Sequence, residues 1–135
     1  MKRICLFLLL GCALAACSEK PADPQVIAHR GFWKAEGAAQ NSIAAIQAAG
    51  RIGAYGSEFD VNLTSDGVLV VNHDFTFHGY KICDTPFEVL RNDTLCLANG
   101  ERIPTLDEYL EASLQYPQMK LIFELKSEGD PDYEA

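Results

Sequence analysis

Positive charge is scarce in this chain: 11 lysines and arginines stand against 19 aspartates and glutamates, a formal net charge of −8. A surface of that sign repels a polyanion, which excludes non-specific nucleic-acid binding as the main task. It also makes each basic residue near a motif informative, since an anionic ligand needs positive charge gathered locally. Long apolar runs are lacking too. The run at the start, Ile4 to Leu14, covers about eleven residues, whereas spanning a bilayer takes about 20. No repeat array or low-complexity tract occurs, so solenoids and disordered tails are excluded. What remains, 48% hydrophobic and 22% charged in 135 residues, is the makeup of one ordinary folded domain with a short appendage.

The appendage is ordered like a secretory signal: Met1-Lys2-Arg3 is a positive end, Ile4 to Leu14 an apolar stretch, and Ala15-Ala16 are small residues before Cys17. Leu14-Ala15-Ala16-Cys17 resembles the lipobox of bacterial lipoproteins. That resemblance implies removal of residues 1–16, lipidation of Cys17, and a polar tether over 17–24 ending at Pro24. The protein is then expected to be exported and anchored to a bacterial membrane on its periplasmic or cell-surface side. The competing reading makes Cys17 merely the third cysteine of a stretch that also holds Cys5 and Cys12. Cleavage would leave nine basic against nineteen acidic residues, a net charge of −10. Besides the lipidated Cys17, two cysteines then remain, Cys83 and Cys96. They either pair in an oxidising compartment, with a loop constraint worth about 3 kcal/mol, or stay as separate half-buried thiols.

From Gln25 onward, strand-like and helix-like segments alternate, which predicts an α/β fold with parallel strands. Gln25 to His29 reads as a first strand ending at Arg30-Gly31. Asn41 or Ser42 can cap a helix in which Ile43, Ile46 and Ala49 recur at helical spacing, with Gly50 and Gly53 available to end it. Tyr55 to Leu63 reads as the second strand. Asp66-Gly67 signals a turn, and Val68 to Val71 is a short apolar run leading to His73-Asp74. Residues 75–102 have little periodicity and read as an inserted excursion after the second strand. Order returns at Thr105-Leu106-Asp107-Glu108, which fits a capping box, followed by Leu106, Tyr109, Leu110 and Leu114 on one helix face. Lys120 to Lys126 is the third barrel-type strand.

Strand alternation puts Glu58 and Asp60 on one face of the second strand, and Glu124 and Lys126 on one face of the third. Carboxylates on otherwise apolar strands are costly to bury unless paired or bound to a cation. Hard oxygen ligands suit Ca²⁺ or Mg²⁺, whereas zinc calls for histidine or thiolate. His29 and His73 end their segments where strand ends face a ligand, and suit acid and base duties. Arg30 offers bidentate bonds to phosphate oxygens. His78 has no role that the pattern assigns, and a loop or surface position is expected for it.

Taken in order, Ala28-His29-Arg30-Gly31, Gly56-Ser57-Glu58-Phe59-Asp60-Val61, Thr64-x-Asp66-Gly67, Val70-Val71-Asn72-His73-Asp74, Ile103-Pro104-Thr105-Leu106 and Phe123-Glu124-Leu125-Lys126 resemble the motifs of the glycerophosphodiester phosphodiesterases over about residues 25 to 127. The resemblance implies a TIM (β/α)₈ barrel with a small insertion after the second strand. A full barrel takes about 250 residues, so residues 25–135 are expected to be its amino-terminal part. It also implies His29 and His73 as the acid/base pair, a divalent Ca²⁺ or Mg²⁺ ion on Glu58, Asp60 and Glu124, and Arg30 and Lys126 against the phosphate. The implied reaction is hydrolysis of a glycerophosphodiester to glycerol 3-phosphate and an alcohol. In that picture the substrate's neighbouring hydroxyl attacks phosphorus. One departure stands out: Ala39-Gln40-Asn41-Ser42 replaces the family's usual Pro-Glu-Asn-Thr. Gln40 keeps the shape and loses the charge, and altered tuning of the site is the expectation. Two rivals share these residues: a related diesterase of lysophospholipids, and a surface lipoprotein that binds without turnover.

Overall fold

The computed structural model describes residues 24–126. The signal, Cys17 and all of the tether but Pro24 lie outside the described residues, as do 127–135. Within them the chain runs β1 (Ile27–Ala28), α1 (Ile43–Arg51), β2 (Gly56–Leu63), β3 (Leu69–Val71), β4 (Thr76–Phe77), β5 (Tyr80–Lys81), a 3₁₀ turn (Ile82–Asp84), α2 (Phe87–Leu90), α3 (Leu106–Ser113) and β6 (Lys120–Leu125).

β2 is the centre of the sheet. Gly56 has Ile27 on one side and Lys120 on the other, while Val61 has Val71 and Leu125. β1 and β3 therefore share one edge of β2 in succession, and β6 takes the opposite edge in parallel from Gly56 to Val61. β1 and β6 pair in parallel with β2, as the alternation predicts, while β3 runs antiparallel after the turn expected at Asp66-Gly67. The cause of the reversal is local: Thr64 accepts from Val68 and Gly67 in a tight turn where Gly67 has φ +84°, so the chain folds straight back on β2.

One face of the sheet packs on the helices. Phe59, Val61, Val71, Ile46, Ala49, Tyr109, Ala112 and Met119 form the core there, and the rings of Phe59 and Tyr109 lie 4.7 Å apart between centroids. Alternation along β2 sends Glu58, Asp60 and Asn62 to the other face. Close approach is secured by glycine: a Cβ on Gly31 would meet that of Ala45 at 2.6 Å, and Gly31 has φ +73° besides. Helix α1 is capped by Ser42, whose hydroxyl accepts from the Ala45 N–H at 3.0 Å. At α3 the expected capping box is present, with Thr105 and Glu108 bonded reciprocally.

Phe77, Ile82 and Leu90 of the excursion share a second small core with Val70 of β3 and with Ile103. Arg91 ties the excursion to α3 through a bidentate pair with Glu108, at 2.7 and 2.8 Å, and through the Ile103 carbonyl. Cys83 and Cys96 are not joined by a disulfide; their thiols approach Asp84 Oδ1 at 3.5 Å and the Asp93 carbonyl at 3.6 Å. His78 lies exposed in the β4–β5 turn with its Nε2 2.8 Å from the Cys96 carbonyl, in the loop position expected.

Candidate active site

Glu58, Asp60 and Glu124 converge, as strand alternation requires. Each offers one carboxylate oxygen such that all three lie within 4.8 Å of one another. Asp60 pairs across the sheet with Glu124 in register. The set is entirely oxygen, which fits a hard divalent cation and not a zinc ion.

Asp60 is 1% exposed, a burial that requires compensation. Asn41 Nδ2 donates to its Oδ2 at 2.9 Å, Lys126 Nζ to its Oδ1 at 2.8 Å, and Arg30 Nε stands 3.8 Å from Oδ2. Burial works to raise the Asp60 pKa. The bonds from Asn41 and Lys126, with the charges of Lys126 and His73, outweigh it and hold the carboxyl below its ordinary 3.8. Lys126 shows the mirror image: burial pushes it down, yet bonds to Asp60 and Glu124 keep its ammonium above the usual 10.5. Its nitrogen lies 2.7 Å from Glu124 Oε1, so it bridges two of the three carboxylates.

Arg30 is held from both ends. Its backbone N–H donates to Glu58 Oε2 at 2.9 Å, and its Nη1 to Gln40 Oε1 at 2.6 Å. The amide of Gln40 thus does keep a hydrogen bond in the site. Arg30 Nε, however, is buried with no hydrogen-bond acceptor. His29 is largely exposed, at 69% of its side chain, with Nε2 3.8 Å from Glu58 Oε2. His73 donates from Nδ1 to Asp74 Oδ1 at 2.7 Å, since a carboxylate can only accept. A cleft of about 570 Å³ runs from His73 and Asp74 to Glu124 and Lys126. A second, of about 380 Å³, joins His73 to Gln40, Asn41 and Trp33.

All seven residues picked from the motifs within 24–126 thus lie at this face; Cys17 lies outside the described residues. Asn41 was legible only as a candidate cap. Ser42 takes that role, and Asn41 instead turns to Asp60, accepting its N–H at 3.4 Å as well as donating. Asn62 and Asn72 also escaped sequence reasoning: both donate to the Asp74 carbonyl, shaping the turn that presents His73. A position tolerant of left-handed backbone beside a motif, as Asn41 is at φ +59°, was the available signal.

A model of the glycerophosphoryl diester phosphodiesterase family matches residues 29–132. The chain is 53% identical to a glycerophosphodiester phosphodiesterase of Parabacteroides distasonis of known structure, covering 80% of this chain and 44% of that one with a TM-score of 0.76. A phosphodiesterase of Oleispira antarctica, solved with its product sn-glycerol 3-phosphate, is 39% identical over 76% of this chain and 44% of its own, with a TM-score of 0.63. Mouse glycerophosphodiester phosphodiesterase 1 is 37% identical over 82% of this chain and 37% of its own length. The chain therefore spans less than half of each relative. These structures imply a TIM-barrel-type fold, of which the described residues form no closed barrel.

Proposed function

The chain belongs to the glycerophosphoryl diester phosphodiesterase family, and from that premise we propose that the protein hydrolyses glycerophosphodiesters to glycerol 3-phosphate and an alcohol. The observation that carries this reading is the convergence of Glu58, Asp60 and Glu124 within 4.8 Å on the face that also bears Arg30 and His73. Those three carboxylates would hold Ca²⁺ or Mg²⁺. A cation bound there supplies Lewis-acid stabilisation of charge on the phosphoryl oxygens.

The chain's own groups supply the rest. Arg30 Nε, buried and lacking an acceptor, suits a phosphoryl oxygen. Lys126 adds a second positive charge beside Asp60. One imidazole of the pair His29 and His73 takes the proton from the glycerol hydroxyl next to the phosphoester. That oxygen bonds to phosphorus, the bond to the alcohol breaks, and the other imidazole returns a proton to the departing oxygen. Water then opens the cyclic phosphate to glycerol 3-phosphate. Residues 1–16 are read as a signal that is removed, and residues 17–24 as the tether that holds this enzyme to a membrane through lipidated Cys17.

The test uses the full-length protein with glycerophosphocholine. Glycerol 3-phosphate should form, should cease with chelator, and should return with Ca²⁺ or Mg²⁺. His29→Ala and His73→Ala should each lower turnover by about 10²–10⁴-fold with little change in metal demand. Asp60→Asn should chiefly raise the metal concentration needed. Ligand binding without glycerol 3-phosphate would overturn the enzymatic reading. Fatty-acid labelling lost in Cys17→Ser, and present otherwise, tests the anchor.

A further inference from the structure

Two of the groups that hold the site, Gln40 and Asn41, sit in the loop between β1 and α1, and that loop is gripped from a distant part of the chain. Glu101 Oε2 accepts from the Ile43 N–H at 2.8 Å and Oε1 from the Ala44 N–H at 3.1 Å. These are the first two residues of α1, whose N–H groups have no partner within a helix. Asn99 Nδ2 donates to Glu101 Oε1 at 2.7 Å and to the Gly37 carbonyl at 3.1 Å, and its Oδ1 accepts from the Glu101 N–H at 3.2 Å. One pair of side chains from the excursion therefore clasps both ends of the segment 37–44.

The loop from Arg30 to Asn41, which contains most of this segment, is under conformational constraint. Arg30 and Asn41 both adopt left-handed backbone, at φ +58° and +59°, and the Asn41 N–H donates to the Arg30 carbonyl at 3.1 Å. Non-glycine residues persist in that region only when their surroundings over-determine them. Asn41 then reaches Asp60, and Gln40 reaches Arg30. We propose that Glu101, braced by Asn99, is a positioning residue that fixes this loop so that Asn41 aims the Asp60 carboxylate and Gln40 aims the Arg30 guanidinium. The inference rests on the proposed diesterase reading and deepens it. It makes the excursion a part of the site's scaffold.

The experiment takes the full-length protein and compares Glu101→Ala, Asn41→Ala, the double variant, and Arg91→Ala as a control. Arg91 joins the excursion to Glu108 and touches none of the site residues, so it reports general loosening. Loss of a group that orients a ligand commonly costs about 10–100-fold in metal affinity or activity. Glu101→Ala should accordingly lower kcat and weaken Ca²⁺ or Mg²⁺ binding, measured by calorimetry without substrate, by about 10-fold. Arg91→Ala should lose melting temperature with both quantities held within about twofold. The double variant should fall short of the product of the two single effects, because the Asn41 route to Asp60 is shared and only the Gln40 route to Arg30 adds to it. Should Glu101→Ala not fold, Glu101→Gln carries the same comparison: it keeps the shape, turns an N–H toward one of the two helix N–H groups, and should fall between the wild type and Asn41→Ala. A fall in melting temperature alone, an equal loss of kcat in Arg91→Ala, or multiplying effects in the double variant would each overturn the proposal. If the wild type releases no glycerol 3-phosphate, the functional reading fails, and calorimetry still judges the clasp by itself.

Discussion

β2 and β6 lie side by side in parallel, six residues in register, and each puts charged side chains on the same face of the sheet. Their environments nonetheless diverge. β2 has a neighbour along both edges and apolar anchors in Phe59 and Val61, and its Asp60 is 1% exposed. Every residue of β6 is exposed, Phe123 at 64% and the Glu124 side chain at 60%, and among the described residues its outer edge pairs with nothing. A carboxylate can be buried where cations and a hydrogen-bond donor surround it. Asp60 has Asn41, Arg30 and Lys126, whereas Glu124 has Lys126. Charge in this site is therefore organised around β2, with β6 contributing from its open side.

That contrast is broken most readily by removing each carboxylate. Asp60→Ala leaves Lys126 and Arg30 without their buried partner, and stripping one member of such a group costs about 3–5 kcal/mol. Glu124→Ala, at an exposed position, should cost about 1 kcal/mol or less. Denaturant unfolding of the two variants measures both, and equal losses would refute the asymmetry. A matching pair tests the apolar face: Phe59→Ala should cost about 3–5 kcal/mol by truncation in a packed core, while Phe123→Ala should fall well short of that. A Phe123→Ala loss as large as that of Phe59→Ala in the full-length protein would mean that residues outside 24–126 cover β6.

Acid provides a smaller and more selective probe. Because the folded-state pKa of Asp60 lies below its ordinary 3.8, its contribution to stability is full above that value and is lost only as pH falls through the lower folded one. Asp60→Asn should therefore differ from the wild type by a constant amount near neutral pH and converge on it in strong acid. Unfolding midpoints followed down through pH 3.8 check this, and a gap that closes well above 3.8 would show that the carboxyl is not held ionised. The smallest effect is expected far from β2: the Arg102–Asp93 pair at 2.9 Å is exposed on both sides, and Arg102→Ala should change stability by less than about 1 kcal/mol.

Much of this was written in local pattern. The period-2 alternation of Glu58 and Asp60 against Phe59 and Val61 decides which side chains share a face, whatever the strand later meets. Thr105 and Glu108 carry the α3 capping box within four residues, so its prediction needed no tertiary information. The motif residues His29, Arg30, Glu58, Asp60, His73, Glu124 and Lys126 were legible as an ordered set that resembles one family's motifs, since each of them alone is a weak signal.

Contacts between residues far apart in sequence were not legible. Nothing near Asn41 announces that it bonds Asp60 nineteen residues on, or that Ser42 takes the cap in its place. Glu101 reads as one more surface acid until the fold brings it to the N–H groups of Ile43 and Ala44, 58 and 57 residues back. The Asp66-Gly67 turn announces that the chain folds back, but that β3 lands on the edge that β1 leaves vacant awaited the sheet, because a turn does not reveal the other neighbours of β2. The sequence by itself determined the alternation, the α3 capping box and the kinds of chemical group at the strand ends, because each depends on neighbours along the chain. Only the tertiary structure decided which carboxylate is buried, what neutralises it and what holds its loop in place, because those depend on through-space distances that the fold alone sets.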